Sequence, residues 1–407
     1  MSKKRIGIVS LGYAWLPCEP GPSRFYYIAK MFSEKGWDVD LIGTSFQHFK
    51  KEPRDKDLIL SQNYPFKTSF IEVKPYKKNI DVRRVMSNHL AVKATVDYLK
   101  QNEYDVIYCS IPQNDVASAV AEYCHGKKIP FVCDIEDLWP EAMEMVVKNR
   151  FLRKLIFPKF YKDAERVYAL CDAAVGTSED YTERAVKYNH REMPLKTVYV
   201  GCDMDIFDRG VKEHSDSIEK DENEFWITYA GSIGKSYDID TLIKASASLL
   251  EDGYSNIKIK ILGTGPRLEE MRKLKDEINA KNVDFLGYTQ YPIMAAYLTK
   301  SEVALNSFIK GAPQSIANKV GDYLASGSAI LNTLENDVAK SLIDSNEVGI
   351  NIEPENVEEL KKAILYFYEN REKTKAMGEN ARRLCEKRFD RKTSYLEIID
   401  LCESLLK

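Results

Sequence analysis

Residues 6–43 read IGIVSLGYAWLPCEPGPSRFYYIAKMFSEKGWDVDLIG, and they predict the fold of the chain. The apolar runs 6–11 and 39–43 predict two buried strands. Between them, apolar side chains recur at the three- and four-residue spacing of an amphipathic helix, predicted over 22–34: Phe25, Ile28, Ala29 and Phe32. A strand, a helix and a second strand in this order predict a β-α-β unit, in which helices cover both faces of a parallel sheet.

The same alternation runs through most of the chain. Further strands are predicted at 69–73, 106–111, 130–135, 173–176 and 197–200, and then, after an interruption, at 225–230, 257–262, 283–286, 303–306, 329–331 and 349–352. The interruption, DRGVKEHSDSIEKDENE at 208–224, is polar and charge-rich, and therefore predicts an exposed connection. The pattern predicts an α/β protein with two doubly wound, Rossmann-like domains.

These domains are predicted at 1–205 and 225–390, with a polar linker at 206–224. A terminal helix is predicted at 391–407, and packing back on the N-terminal domain is one option for it. Ligands of such sheets bind outside the carboxyl ends of the strands. Two such sheets are expected to face each other across a deep cleft.

The composition excludes several classes of protein. Of the 407 residues, 44% are hydrophobic and 30% charged, which is typical of a soluble globular protein. No stretch approaches the roughly 18 apolar residues of a membrane-spanning helix. The net charge of −3 gives no reason to expect nucleic acid as a partner. None of the eight cysteines forms a C-x-x-C pair, which argues against zinc ribbons and for a reducing, cytosolic compartment.

Two glycine turns follow strands of the second domain. Residues 230–235 read AGSIGK, and residues 263–266 read GTGP. Glycines let a ligand approach the backbone closely, and a following helix N-terminus attracts anions. Lys235 is placed to meet either a phosphate or solvent.

Residues 313–327, PQSIANKVGDYLASG, lead from a loop into a helix. Lys319 and Asp322 are three residues apart and share a helical face. A cation at a helix N-terminus is disfavoured unless an anion lies there too. A carboxylate such as Asp322 can accept hydrogen bonds from the two hydroxyls of a ribose. The alternative is an ordinary exposed salt bridge between Lys319 and Asp322.

Carboxylates and a tryptophan also follow a strand of the first domain. Residues 133–141 read CDIEDLWPE, and their side chains predict a polar pocket beside an aromatic wall, as a carbohydrate requires. The alternative is a set of helix N-caps, and no metal-ligand spacing is present. The turn after the first strand, with Gly12, Gly21, Ser23 and Arg24, suits an anion, but it is not G-x-G-x-x-G.

In this order, the motifs resemble those of a retaining glycosyltransferase of the GT-B fold, in family 4, over essentially the whole chain. The similarity is greatest to the bacterial branch that builds surface polysaccharides such as O-antigen and capsule. The matching pieces are 21–24, 137–141, 178–179, 229–232, 263–266 and the segment that ends at Gly327. The family's donor motif is two glutamates separated by seven residues. In this chain Gln314 and Asp322 stand at those positions, and a glutamine cannot carry the charge of the family's first carboxylate.

The resemblance implies a nucleotide-sugar donor, a UDP-sugar being favoured, in the second domain. The donor-binding residues it implies are Gly12, Gly231, Ser232, Gly263, Gly265, Tyr288, Gln314, Ser315, Ile316, Ala317, Asn318, Lys319 and Asp322. The implied catalytic residues are Lys319, Lys235 and Asp137. On the acceptor side it implies Gly21, Ser23, Arg24, Asp134, Glu136, Asp137 and Trp139. The nucleotide sugar is a substrate, and neither a cofactor nor a metal is implied.

The implied reaction moves a hexosyl or N-acetylhexosaminyl group, with retention, to a glycan or polyprenyl-diphosphate-linked acceptor. Residues 148–166 carry seven basic and two acidic side chains among aromatic and aliphatic ones. They suggest peripheral contact with an anionic membrane at its cytoplasmic face, or else a helix with a buried apolar face and a solvated basic one. Two other functions stay open. One is a non-catalytic nucleotide-sugar sensor or partner subunit, suggested by Gln314. The other is a sugar-nucleotide epimerase of the same fold, which needs paired acid and base groups.

Overall fold

A computed structural model describes residues 3–12, 14–19, 23–48, 50–78, 82–144, 147 and 150–407. The chain forms two compact units. Unit 1 comprises Met1–Val198 together with Tyr395–Lys407, and unit 2 comprises Tyr199–Ser394. Each unit contains a parallel sheet with helices, which confirms the α/β prediction of two Rossmann-like domains.

Unit 1 has a seven-stranded sheet whose strands are all parallel, in the order β5-β2-β1-β6-β7-β8-β9. Its strands are β1 (Arg5–Val9), β2 (Asp38–Thr44), β5 (Lys67–Ile71), β6 (Val106–Ile111), β7 (Phe131–Ile135), β8 (Ala173–Gly176) and β9 (Leu195–Thr197), with the hairpin strands β3 (Phe46–Gln47) and β4 (Glu52–Pro53). Its helices are α1 (Arg24–Glu34), α2 (Lys56–Leu60), α3 (Val82–Lys100), α4 (Asn114–Lys127), α5 (Glu141–Glu144), α6 (Arg150–Leu170) and α7 (Glu179–Tyr188).

The core of unit 1 is built as the helical spacing predicts. Helix α1 buries Phe25, Ile28 and Phe32 against the sheet. The predicted terminal helix is present as α16 (Arg391–Ser394) and α17 (Leu396–Ser404). Helix α17 buries Ile398 and Leu401 in the same apolar cluster as α1, so this returning segment completes the core of unit 1.

One insertion in unit 1 was not predicted. Between β2 and β5 the chain makes the antiparallel pair β3–β4, in which Phe46 pairs with Pro53, and then helix α2. Both strands are only two residues long, so they carry no periodicity that a sequence pattern could reveal.

Unit 2 has a six-stranded parallel sheet in the order β12-β11-β10-β13-β14-β15. Its strands are β10 (Phe225–Ala230), β11 (Ile257–Leu262), β12 (Val283–Gly287), β13 (Val303–Asn306), β14 (Ala329–Asn332) and β15 (Gly349–Asn351). Its helices are α8 (Met204–His214), α9 (Ile239–Glu251), α10 (Leu268–Glu277), α11 (Tyr291–Thr299), α12 (Val320–Ser326), α13 (Asp337–Ser345), α14 (Val357–Glu369) and α15 (Arg371–Leu384), followed by a π-helical turn (Cys385–Phe389) and α16.

The predicted polar linker at 206–224 is wrong for its first half. Residues Met204–His214 form helix α8, which Asp203 caps by accepting a hydrogen bond from the Ile206 N–H at 3.1 Å. The helix buries Phe207 and Gly210, and a Cβ on Gly210 would come within 2.6 Å of Pro292 on α11. Because so few apolar residues make this contact, the segment resembles a solvated connection in composition.

The strand orders locate the candidate binding edges. Strand β1 lies between β2 and β6, and strand β10 lies between β11 and β13. In each sheet, the strands that come next in the chain are added on one side of the first strand, and the later strands are added on its other side. The order of strands therefore reverses at β1 in unit 1 and at β10 in unit 2. In open parallel sheets, ligands bind at the carboxyl ends of the strands at such switch points.

Candidate functional site

Two glycine turns at the switch point of unit 2 pack against each other. Gly263, after β11, has φ +142°, and a Cβ there would come within 1.8 Å of the Gly231 carbonyl oxygen after β10. A Cβ on Gly265 would come within 2.3 Å of the Ile233 carbonyl oxygen. The Ile233 N–H donates to the Thr264 carbonyl at 2.9 Å, which ties the turns together. The glycines are thus required for this close approach.

These turns form one wall of a cavity of about 380 Å³, a size within the range of small-molecule sites. Its lining residues are Gly231, Ser232, Leu262, Gly263, Thr264, Tyr288, Thr289 and Met294. Tyr288 is 79% exposed at the cavity, so its ring is available to a ligand rather than packed in the core. Four predicted donor residues, Gly231, Ser232, Gly263 and Tyr288, therefore lie together.

Lys319 precedes helix α12, and its ammonium group lies among aromatic rings. The Nζ atom is 4.3 Å from the ring centroid of Tyr229, 4.4 Å from that of Tyr237 and 5.0 Å from that of Phe308. It is buried and has no hydrogen-bond partner in the described part of the chain. It also lies 3.5 Å from the position that a Cβ would take on Gly231, which places it at the glycine turn of the cavity.

Two opposing effects act on this ammonium group. Burial lowers the pKa of Lys319 to about 7, because the charged form loses its hydration. The surrounding ring faces favour the charged form through cation–π contact. A nearby anion would supply the missing partner, so the arrangement suits a phosphate at Gly231.

Asp322 lies one turn further along, on α12. Its Oδ1 accepts a hydrogen bond of 2.7 Å from the Tyr291 hydroxyl on α11, the helix that also carries Met294 of the cavity. Burial raises the pKa of Asp322 to about 6, although the hydrogen bond from Tyr291 and the charge of Arg391 oppose the rise. Lys319 Nζ has no hydrogen-bond partner among the described residues, and the Asp322 carboxylate accepts from Tyr291, which argues against the salt-bridge alternative.

The loop before α12 combines buried polar atoms with free amides. Gln314 has a buried side-chain oxygen without a partner among the described residues, and Ser315 is buried. Ile316 and Ala317 rest on apolar clusters of unit 2, while Asn318 is exposed. Within the described residues, the N–H groups of Ile316, Ala317 and Asn318 donate no hydrogen bond. They are available to an anionic ligand.

Lys235, one of the three implied catalytic residues, is placed differently from the predicted donor-binding residues. It is exposed, it does not line the cavity, and its charge acts on Glu270 of helix α10. Glu270 in turn pairs with Arg267, whose guanidinium also binds Asp240 at 2.8 Å. This arrangement favours contact of Lys235 with solvent over contact with a phosphate.

In unit 1, Arg24 and Asp134 form a buried ion pair. The Arg24 Nε donates to Asp134 Oδ2 at 2.8 Å, and the Tyr108 hydroxyl donates to the same oxygen at 2.7 Å. The Arg24 and Asp134 side chains are 1% and 0% exposed, and the guanidinium lies 4.8 Å from the Tyr395 ring centroid. Both groups bind each other inside the core, which favours a structural role over the predicted contact with an acceptor.

The remaining predicted acceptor residues lie at the carboxyl end of β7. Glu136 is half-buried, and its pKa is raised to about 8 by burial and the charge of Asp134, against the opposing charge of Arg24. Asp137 accepts a hydrogen bond from the Trp139 indole N–H at 3.1 Å, and burial raises the pKa of Asp137. Trp139 is half-buried. The two carboxyl groups therefore lie at the strand end near the Trp139 ring, and an acceptor-binding role for these residues stays a prediction.

The turn after β1 brings together only part of its predicted residues. Gly12 is buried, and a Cβ there would lie 3.6 Å from the Gln113 side-chain nitrogen. Ser23 directly precedes helix α1, and its hydroxyl accepts a hydrogen bond from the Trp15 N–H at 3.1 Å. Gly21 lies outside the described residues, as does Lys148 of the basic segment.

The sequence did not identify the aromatic surroundings of Lys319. Tyr229, Tyr237 and Phe308 come from three separate parts of the chain, and Tyr291, the partner of Asp322, comes from a fourth. Tyr229 and Tyr237 flank the glycine turn at 231–235, so their positions in the sequence could have indicated that they lie near a ligand at this turn. Nothing in their spacing, however, indicated a contact with Lys319.

Among the described residues, no cluster of three or more His, Cys, Asp or Glu side chains could hold a metal ion. None of the helices described is both long and apolar enough to cross a membrane.

Part of the second half of the chain is similar to a known protein family. Residues 211–384 match the family model described as glycosyl transferases group 1. A relative from Methanocaldococcus jannaschii, named an uncharacterized glycosyltransferase, is 25% identical over 267 residues, which span 65% of this chain and 65% of the relative. The match thus covers slightly less than two thirds of the relative's length.

Solved structures resemble the chain over nearly its whole length. Anabaena HepE, solved in complex with UDP, superposes with a TM-score of 0.71 at 15% identity, covering 98% of this chain and 100% of that one. Sucrose-phosphate synthase from Thermosynechococcus elongatus gives a TM-score of 0.73 at 15% identity, covering 99% of each chain. Identities this low show the fold, which is GT-B. Together with the family match, they support a GT-B glycosyltransferase.

Proposed function

We propose that this protein transfers a sugar from a nucleotide-sugar donor, with a UDP-sugar favoured, to a glycan or polyprenyl-diphosphate-linked acceptor. The observation that carries the proposal is the buried Lys319 ammonium, which has no hydrogen-bond partner in the described chain and lies at the Gly231 turn of the cavity. Anabaena HepE has been solved with UDP and with UDP-glucose, which supports the choice of donor.

In this proposal the donor diphosphate lies at Lys319, Gly231 and Gly263. The free amides of Ile316 and Ala317 add donors for the diphosphate or the transferred sugar. Negative charge grows on the leaving diphosphate as the glycosidic bond breaks. A preorganised cation and amides in a buried site stabilise that charge without reorganisation.

Asp322 and Tyr288 are proposed to hold the nucleoside. Asp322 accepts a hydrogen bond from Tyr291 on one oxygen and keeps the other for ribose hydroxyls. The exposed ring of Tyr288 forms a wall for the base. Both contacts lie away from the bond that breaks, so they contribute mainly to ground-state binding.

The acceptor is proposed to bind unit 1 beside Glu136, Asp137 and Trp139. Transfer proceeds with retention, and the acceptor proton passes to the leaving phosphate oxygen. Asp137 orients an acceptor hydroxyl, since its carboxylate lies at the strand end beside the Trp139 ring. The proposed setting is surface polysaccharide biosynthesis in the cytoplasm, and no metal is assigned to the reaction.

Helix α6 supports a peripheral membrane contact within this proposal. Its first turns expose Leu155 by 73% and Ile156 by 44%, among the basic residues Arg153, Lys154 and Lys159. Exposed apolar side chains flanked by cations are typical of helices that bind anionic lipid surfaces. Wild type should co-sediment with anionic liposomes at low salt, and Leu155→Glu should reduce this binding. The matched control is Leu60→Glu on α2, where the leucine is 60% exposed. Failure of wild type to sediment would end the membrane proposal.

One experiment tests the proposed transfer against the other two functions. The protein is incubated with UDP-, GDP- and ADP-sugars and a lipid-linked acceptor, and the products are separated by mass spectrometry. Sugar transfer that is lost in Lys319→Met but kept in Lys273→Met supports the proposal, because Lys273 is an exposed lysine of the same unit. Interconversion of the nucleotide sugar would identify an epimerase. Binding without any reaction would favour the sensor or partner subunit suggested by Gln314.

A further inference from the structure

Tyr291 lies between the two parts of the proposed nucleoside site. It begins helix α11, which follows Tyr288 and Thr289 of the cavity and carries Met294 of the same cavity. The Tyr291 hydroxyl contacts helix α12, where it donates to Asp322 Oδ1 at 2.7 Å. This hydrogen bond therefore links the proposed wall for the base to the carboxylate proposed for the ribose.

The hydrogen bond leaves the second carboxylate oxygen of Asp322 available. Asp322 is half-buried, and in the part of the chain that the structure describes only Tyr291 donates a hydrogen bond to its side chain. Burial, followed by the charge of Asp322, raises the pKa of Tyr291, so the phenol keeps its proton and is the donor. An ionised carboxylate accepts at both oxygens, so Oδ2 can accept from a ligand hydroxyl.

Helix α8 packs against α11 at Tyr291. The buried Phe207 ring of α8 lies edge-on to the Tyr291 ring, with 6.4 Å between the ring centroids and 79° between the ring planes. Further along α8, Gly210 faces the residue after Tyr291, and a Cβ on this glycine would come within 2.6 Å of the Pro292 Cα. This close packing restricts the direction in which the Tyr291 ring can point.

Other groups also face the Asp322 carboxyl. Burial, the largest effect, raises the pKa of Asp322, while the hydrogen bond from Tyr291 and then the charge of Arg391 in α16 lower it. Cys202 and Tyr323 stay neutral, because their pKa values are raised, by a neighbouring thiol and burial for Cys202 and by burial for Tyr323. Tyr291 is thus the group that both orients the carboxylate and favours its charge.

We propose that Tyr291 is a positioning residue for the nucleotide-sugar donor, whose hydroxyl orients Asp322 toward the vicinal hydroxyls of the ribose, so that the site selects ribose over 2′-deoxyribose. The inference rests on the proposed function and adds a specificity to its donor site. A carboxylate that is already oriented loses less rotamer freedom when it binds a ligand. A site built to bind a hydroxyl rejects an analogue that lacks it, because the polar group of the protein is left unpaired.

Binding tests the proposal without any sugar transfer. Isothermal titration at pH 7 compares UDP, GDP and ADP with their 2′-deoxy counterparts, and the pair that binds most tightly is used. We expect wild type to bind the ribonucleotide about 10-fold more tightly, as one hydrogen bond to a charged group allows. Tyr291→Phe should weaken ribonucleotide binding about 10-fold and bring the two affinities within about 3-fold of each other.

The matched control is Tyr297→Phe, which removes the hydroxyl of a tyrosine on the same helix whose ring stacks on Trp226. It should bind both nucleotides as wild type does. An equal preference for ribose in wild type and in Tyr291→Phe would overturn the proposal, as would an equal loss of this preference in the control.

A double variant shows whether Tyr291 acts through Asp322. Tyr291→Phe/Asp322→Asn should bind the ribonucleotide no more weakly than Asp322→Asn alone, because the hydroxyl then has no carboxylate to orient. Losses that add in the double variant would mean that Tyr291 acts independently of Asp322, and they would contradict the positioning role.

The pH dependence gives a readout that a merely structural role would not change. Burial raises the pKa of Asp322 to about 6, and the hydrogen bond from Tyr291 opposes this rise, so the loss of the bond raises the pKa further. More of the carboxyl is then neutral at pH 6 than in wild type. The dissociation constant of Tyr291→Phe, divided by that of wild type, should therefore be larger at pH 6 than at pH 8. Lys319 and the diphosphate titrate in both proteins, so this ratio removes their contribution, and a ratio that does not change with pH would contradict the proposal.

Sugar transfer separates this inference from the proposed function. With a lipid-linked acceptor, Tyr291→Phe should raise KM for the nucleotide sugar about 10-fold with kcat nearly unchanged, because the ribose lies away from the bond that breaks. Transfer with the same KM in wild type and Tyr291→Phe would refute the inference and leave the proposed function standing. Loss of the ribose preference in Tyr291→Phe, in a protein that transfers no sugar, would support the inference and refute the proposed function. Failure to bind any of the diphosphates would refute both.

Discussion

The buried Lys319 ammonium predicts that nucleotide binding depends strongly on pH. With a pKa of about 7 in the free protein, about half of the lysine is charged at pH 7 and about 1% at pH 9. A bound diphosphate stabilises the charged form and raises this pKa. If only the charged form binds, the dissociation constant of UDP should rise about 50-fold between pH 7 and pH 9, or about 2 kcal/mol.

The same lysine should lower the stability of the protein at neutral pH. The folded-state pKa lies below the ordinary value of 10.5, so the unfolded chain binds more protons between pH 7 and pH 10.5. The free energy of unfolding therefore rises with pH across this window. At pH 7 this shift corresponds to about 4 kcal/mol of lost stability. Lys319→Met should accordingly be more stable than wild type at pH 7, by up to about 4 kcal/mol.

Isothermal titration of UDP at pH 7, 8 and 9 and urea unfolding at the same pH values measure both effects. Lys319→Met should bind UDP weakly and with little pH dependence, while being more stable than wild type at pH 7. Lys273→Met, which removes an exposed lysine that is paired with Glu277, should resemble wild type in both assays. The reasoning is refuted if the affinity of wild type for UDP does not change with pH and Lys319→Met is less stable, because the lysine would then be a packing residue.

Three further results are expected. Asp322→Asn should raise KM for the donor about 10–100-fold with little change in kcat, since the ribose lies far from the reacting bond. Steady-state kinetics that show a lower kcat and an unchanged KM would contradict the assignment of Asp322 to the ribose. Gly263→Ala should cost more than 3 kcal/mol in urea unfolding, because its Cβ would meet the Gly231 turn at 1.8 Å, whereas Gly253→Ala, with φ +94° but open space around it, should cost only about 1–3 kcal/mol. Arg24→Met should lower the free energy of unfolding by about 3–5 kcal/mol, because it leaves the Asp134 carboxylate buried without its cation. In thermal unfolding, the double variant Arg24→Met/Asp134→Leu should recover much of this stability. A double variant as unstable as the single one would show that packing, not charge, dominates.

The strands and the edges of the sheets could be predicted because they follow from local patterns. Strands β6, β8, β10, β11 and β13 occupy the ranges expected from their apolar runs. The glycine turns after β10 and β11 were equally visible, because glycines directly after a buried strand indicate a close approach of backbone.

Other features depend on contacts between distant residues and could not be predicted. Arg24 and Asp134 are 110 residues apart, and a buried ion pair between them leaves no trace in the sequence around either. The aromatic rings around Lys319 likewise come from three separate parts of the chain. Helix α8 was missed for a different reason. Its sequence is mostly polar, and its packing depends on Phe207 and on a glycine that allows α11 to approach.

The return of Tyr395–Lys407 to unit 1 has a consequence for the order in which the chain acquires structure during synthesis. All of unit 2 is translated before the segment that completes the core of unit 1. Unit 2 is continuous in sequence, so its core needs no residue that is translated after Ser394. Until the last residues are translated, the hydrophobic core of unit 1 is incomplete beside helix α1, where Ile398 and Leu401 pack. A premature stop near residue 394 would therefore damage the part of the protein made first and spare the part made last.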